Sequence, residues 1–113
     1  MKSQIKGLQK LVNSDIIKNI YPMVDRIVVD SYDSVNPFNK NKEIVVLKFE
    51  IYVNDSNITN ENMYEKGFDP HYLVEYHIRK LLPYLGLESD MLVFDVLGPD
   101  GNKIESYTLW EKY

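Results

Sequence analysis

Cysteine and alanine are both missing from this 113-residue chain, and arginine and histidine occur only twice each. Without Cys there is no disulfide framework, no thiol nucleophile and no thiolate zinc site. The two arginines, Arg26 and Arg79, stand outside any basic cluster, and the formal net charge is −4. A nucleic-acid partner is therefore not expected, because contact with phosphate draws on clustered Lys and Arg. No stretch approaches the roughly 20 apolar residues that a membrane span requires. Polar residues interrupt every apolar run behind Lys2 and Lys6, so no signal-peptide core forms, and the expected location is the cytoplasm on synthesis, with the virion as the alternative destination and no membrane partner. Asn54-Asp55-Ser56 and Asn57-Ile58-Thr59 match the glycosylation acceptor pattern, which carries no weight without a secretory signal.

What is present is a globular mixture, 44% hydrophobic and 27% charged, which argues against bulk disorder. The length suits one domain over 1–113 with one ordinary core. Ile, Lys, Asn and Tyr are abundant; their codons are AT-rich, which suggests an AT-rich genome such as those of many bacteriophages, large viruses and some bacteria.

The order of elements reads as α-β-β-α-β-β, with an internal duplication over about 3–53 and 69–110. Ile17-Lys18-Asn19-Ile20-Tyr21-Pro22 lines up with Ile78-Arg79-Lys80-Leu81-Leu82-Pro83, and strand-type sequence follows each. Ile5, Val12, Ile16 and Ile20 recur at helical spacing, with Leu8 and Ile17 flanking them; Asn13-Ser14-Asp15 offers a cap-type break. Strands are expected over Ile27–Tyr32 and Ile44–Val53, joined by a connection through Ser34–Lys42 longer than a tight hairpin needs. Asn54–Phe68 reads as a long irregular loop. Asp69 as N-cap and Pro70 at the first helical position start the second helix. Its apolar stripe is Leu73, Val74, Ile78, Leu81, Leu82 and Leu85, and Gly86 suits a C-terminal cap. Met91–Leu97 and Ile104–Trp110 form a hairpin around Gly98-Pro99-Asp100-Gly101. The predicted fold is a two-layer α+β domain: a four-stranded, mainly antiparallel sheet with two helices on one face. Function is expected on the other face of that sheet.

His71 and Glu75 lie four apart on the second helix, the spacing of two metal ligands, but His77 is about 200° from Glu75 and cannot join them. No metal or cofactor is expected, and His71/Glu75 stand as the weak candidates for a metal or small-ligand site. The loop from Asp55 has Asp55, Asn57 and Thr59 at alternate positions, yet Asn60 and Lys66 replace the Gly and bidentate Glu of a calcium loop. No nucleophile triad or phosphate cradle can be assembled. Carboxylates are plentiful, but spacing alone places no two of them opposite each other.

The surplus lies in aromatics. Nine Tyr, with Trp110 and Tyr113 at the C-terminus, exceed what one small core needs. Tyr72, Tyr76 and Arg79 compose a helix face of interface type, and Phe38, Met63, Tyr64 and Phe68 put apolar side chains in loops. With Trp110, these are the expected protein contacts of a homo- or hetero-oligomer. The function so implied is a non-enzymatic interaction or assembly module; its specific form is a small virion or tail-assembly subunit of a phage-like virus. A pocket enzyme or metal-binding domain around His71 and Glu75 is the alternative, and a phage-encoded inhibitor of a host protein the third.

Overall fold

Alternation along the strands decides which side of the sheet is dry. In the computed structural model, which describes residues 2–111, Leu47, Phe49 and Ile51 of strand β2 (Asn39–Val53) point to one side. Ile27 and Val29 of β1 (Val24–Asn36) register against Ile51 and Phe49. Leu92, Phe94 and Val96 of β3 (Met91–Leu97) register against Leu47, Phe49 and Ile51. All of these side chains are buried, and burial of each contributes about 1.5–3 kcal/mol. With β4 (Lys103–Trp110) the sheet has the order β1-β2-β3-β4. The β1/β2 and β3/β4 pairs are antiparallel and the central β2/β3 pair is parallel. The α+β, mainly antiparallel sheet with helices on one face is as the sequence predicts.

The first helical layer is α1 (Lys2–Val12) and α2 (Asp15–Ile20). Leu8, Val12 and Ile17 are buried, whereas Ile16 is 70% exposed and Ile20 is also exposed, contrary to the predicted stripe. The break explains the change of phase. Asn13 turns its amide to the backbone of Ile27, donating to its carbonyl and accepting from its N–H, both at 2.8 Å. The chain then begins a new helix with a different face inward.

The expected long connection at 34–42 is instead continuous strand with a tight turn at Pro37-Phe38. Asn36 is buried and its Oδ1 accepts from the N–H of Phe38 at 2.8 Å, closing the turn locally.

The loop 54–69 has no regular element, yet three of its side chains, Ile58, Met63 and Phe68, drop into the core. Met63 and Phe68 are thus corrected from interface candidates to core residues. The loop is held by its own polar groups: Asn62 Oδ1 accepts from Thr59 N–H at 2.7 Å and its Nδ2 donates to the Asn57 carbonyl at 2.9 Å. Lys66, the residue that spoils a calcium loop, lies 3.8 Å from Asp55.

Asp69 caps the second helical segment, residues 70–85, accepting from Tyr72 N–H at 3.2 Å, with Pro70 at its start. The segment is not a regular α-helix. One α turn at Pro70–Tyr72 widens to a π-helix over Leu73–Ile78, then tightens to 3₁₀ turns at Arg79–Leu81 and Pro83–Leu85. A π turn takes up an extra residue and shifts the faces: Leu73, Val74, Ile78 and Leu82 are buried, while Leu81 and Leu85 are only partly covered. Gly86, at φ 66°, ends it in the left-handed region that suits glycine.

Candidate functional site

The structure divides the sequence-predicted contact residues by burial and neighbour. Tyr72 and Tyr76 are brought together on the outer side of the second helical segment. Their ring centroids are 4.5 Å apart, yet the residues remain 48% and 51% exposed. The Lys80 ammonium stands 6.0 Å from the Tyr76 ring. Arg79 holds Glu111 through an Nη2–Oε2 contact of 2.8 Å, so its guanidinium is fixed on the same segment. Tyr84, 87% exposed, follows in the last turn and lies outside the sequence-predicted contact residues.

This helical face continues toward α2 through a row of rings. His77 lies 5.5 Å from Tyr72 and 5.7 Å from Tyr21, and Tyr21 meets Phe68 edge-on at 6.0 Å. Burial, with Tyr72 and Asp69 nearby, pushes the Tyr21 hydroxyl up to about 12. His77 Nε2 is buried without a hydrogen-bond partner among the described residues, and its ring sits between those of Tyr72 and Tyr21. Next to Tyr21, α2 exposes Ile16 and Ile20.

His71 meets two rings of the sheet. Its imidazole packs edge-on against Tyr107 at 4.4 Å and Phe94 at 5.3 Å, while Phe94 and Tyr107 stack at 5.0 Å. The imidazole is a partly buried neighbour of these two rings. Among the described residues no three His, Asp or Glu side chains converge as a metal site would need. Tyr107 is likewise pushed up to about 12, by burial first and then by Tyr64, Glu105 and Asp69. Its hydroxyl reaches Met63 Sδ at 3.8 Å.

The open face of the sheet is paired within itself. The Arg26 guanidinium sits 4.1 Å over the Tyr52 ring, its cross-strand partner. Asp95, 4% exposed, accepts from Ser106 Oγ at 2.6 Å and lies 3.8 Å from Lys48 and 3.7 Å from Lys103. Glu50 registers opposite Asp95, a carboxylate pair that spacing could not reveal because it arises between strands 45 residues apart. At the far end the Phe38 ring, 77% exposed, meets the half-buried Trp110 at 5.5 Å. Tyr64 is exposed at the loop surface, and Tyr113 lies outside the described residues.

No protein-family model matches the chain, and no curated protein matches it. Among solved structures, the pilotin from the Vibrio vulnificus type 2 secretion system, EpsS, aligns with 97% of this chain and 94% of its own at 14% identity. The TM-score is 0.35, too loose a superposition to carry an argument. No described helix is long and apolar enough to cross a membrane.

Proposed function

We propose that this chain is a non-enzymatic protein-binding module, and that its contact surface is the outer helical face of Tyr72, Tyr76, Arg79 and Tyr84 with Ile16 and Ile20 beside it. The observation that carries this is the Tyr72/Tyr76 pair, two rings held at 4.5 Å and left about half exposed. Rings already in contact lose little freedom when a partner covers them, and Tyr supplies large contact area with only two side-chain torsions. Arg79 adds a guanidinium held in place by Glu111, and Tyr and Arg are the types that dominate binding energy. The finer reading, a virion or tail-assembly subunit, rests on the codon-linked composition alone.

The test is capture from the native source with wild-type protein and with the double variant Tyr72→Ala/Tyr76→Ala. A partner held by the wild type and lost by a variant of unchanged melting temperature supports the proposal. Equal capture by both removes this face from consideration.

A further inference from the structure

The outer edge of β1 is closed by this chain along one half and open along the other. Asn13 takes both backbone groups of Ile27, and Gln9 accepts from the N–H of Val29 at 2.7 Å. These groups therefore turn away from β2. Antiparallel pairing alternates, and the register runs without a shift from Arg26 to Val35, so Ser31, Asp33 and Val35 also present their backbone outward. The Ser31 N–H is taken by its neighbour Asp30 at 2.8 Å. Asp33 and Val35 have no such partner among the described residues.

Beside this open half, Lys2, Ile5 and Lys6 of α1 and residues 30–33 of β1 line a groove of about 610 Å³. The helix wall is basic: α1 contains no acidic residue, and Lys2, Lys6 and Lys10 recur every fourth position. None of the three is ion-paired among the described residues, in a chain whose net charge is negative, and Asp33 on the opposite wall is unpaired too.

An exposed edge with free backbone groups is a template for another strand. Here the added strand needs an acidic side chain directed at Lys2 and Lys6, and β1 is itself such a strand. We propose that the groove receives β1 of a second copy of this chain, antiparallel about a two-fold axis at Tyr32. In that register Ser31 faces the partner's Asp33 and Asp33 faces the partner's Ser31. The Asp33 N–H of each copy meets the Ser31 carbonyl of the other, since the Ser31 N–H is held by Asp30, and the two aspartates avoid direct opposition. Each Asp33 enters the other copy's groove toward its lysines, and the Tyr32 rings meet on the open face of the sheet. The contact is self-complementary and closed, so it stops at a dimer. It uses a surface separate from the helical face above and stands independently of that reading.

Analytical ultracentrifugation of the full chain from micromolar to millimolar concentration tests the proposal. The wild type is expected to dimerise. A Lys2→Glu/Lys6→Glu variant and an Asp33→Lys variant, each with wild-type melting temperature, are each expected to weaken association by about tenfold or more. An equimolar mixture of the two variants restores a heterodimer, because each new charge then meets its opposite. A wild type that stays monomeric, a dimer indifferent to both variants, or a mixture that stays monomeric overturns the proposal. Binding of an unrelated extended acidic peptide by a monomeric wild type assigns the groove to a foreign strand and overturns it as well.

Discussion

Gln9 stands in for a neighbouring strand at Val29: its Oε1 accepts the Val29 N–H at 2.7 Å while its Nε2 donates to the Ile27 carbonyl. One helical turn on, Asn13 completes the imitation at Ile27, and its amide also donates to the Gln9 carbonyl at 2.7 Å. Two amides four residues apart, Gln9 on α1 and Asn13 just past its end, thereby satisfy an edge that would otherwise be bare. Asn13→Ala leaves part-buried backbone groups unpaired and is expected to cost about 2 kcal/mol. Urea denaturation should show a lower midpoint with an unchanged m-value.

That relationship also marks where sequence reading succeeds and where it stops. Strand alternation, the Asp69-Pro70 helix start and the Gly86 stop were legible because each is a local signal, set by neighbouring residues. The switch from Ile16 to Ile17 as the buried residue was not, because it depends on Asn13 binding a strand 14 residues away. The π-helical stretch escaped for the same kind of reason: an extra residue in a turn leaves the composition unchanged while moving every following side chain. In the loop, residue type alone could not tell Met63 and Phe68, which are buried, from Tyr64, which is not.

The loop makes a direct contrast possible. Met63→Ala empties a fully buried site beneath Tyr107 and is expected to cost about 2–5 kcal/mol. Tyr64→Ala, one residue along but exposed, is expected to change stability by no more than about 0.5 kcal/mol apart from its contact with Tyr107. Thermal melts of the two variants side by side decide whether this loop is part of the core.

Asp95 is a buried charge whose cations reach it from the two flanking strands, Lys48 from β2 and Lys103 from β4. The double variant Lys48→Met/Lys103→Met leaves the carboxylate with Ser106 as its remaining hydrogen-bond partner and is expected to destabilise by about 2 kcal/mol. Adding Asp95→Asn removes the uncompensated charge but keeps an acceptor for Ser106, and should recover most of the loss. A triple variant no more stable than the double shows instead that the lysines act through the packing of their stems.

Alkaline pH probes the ring layer under the helices. Tyr21 and Tyr107 are both raised from 10.0 to about 12, chiefly because burial disfavours the phenolate. Below pH 10 both hydroxyls keep their protons whether the chain is folded or not, so their contribution is intact. Between pH 10 and about 12 the unfolded chain releases these protons while the native state retains them, and stability must fall as pH rises. The melting temperature should decline across that window more steeply in the wild type than in Tyr21→Phe or Tyr107→Phe, and least in the double variant. Absorbance of the phenolate follows the late titration of Tyr21 and Tyr107 directly, and each Phe variant removes one of them. Equal slopes in wild type and double variant trace the alkaline loss of stability to other groups.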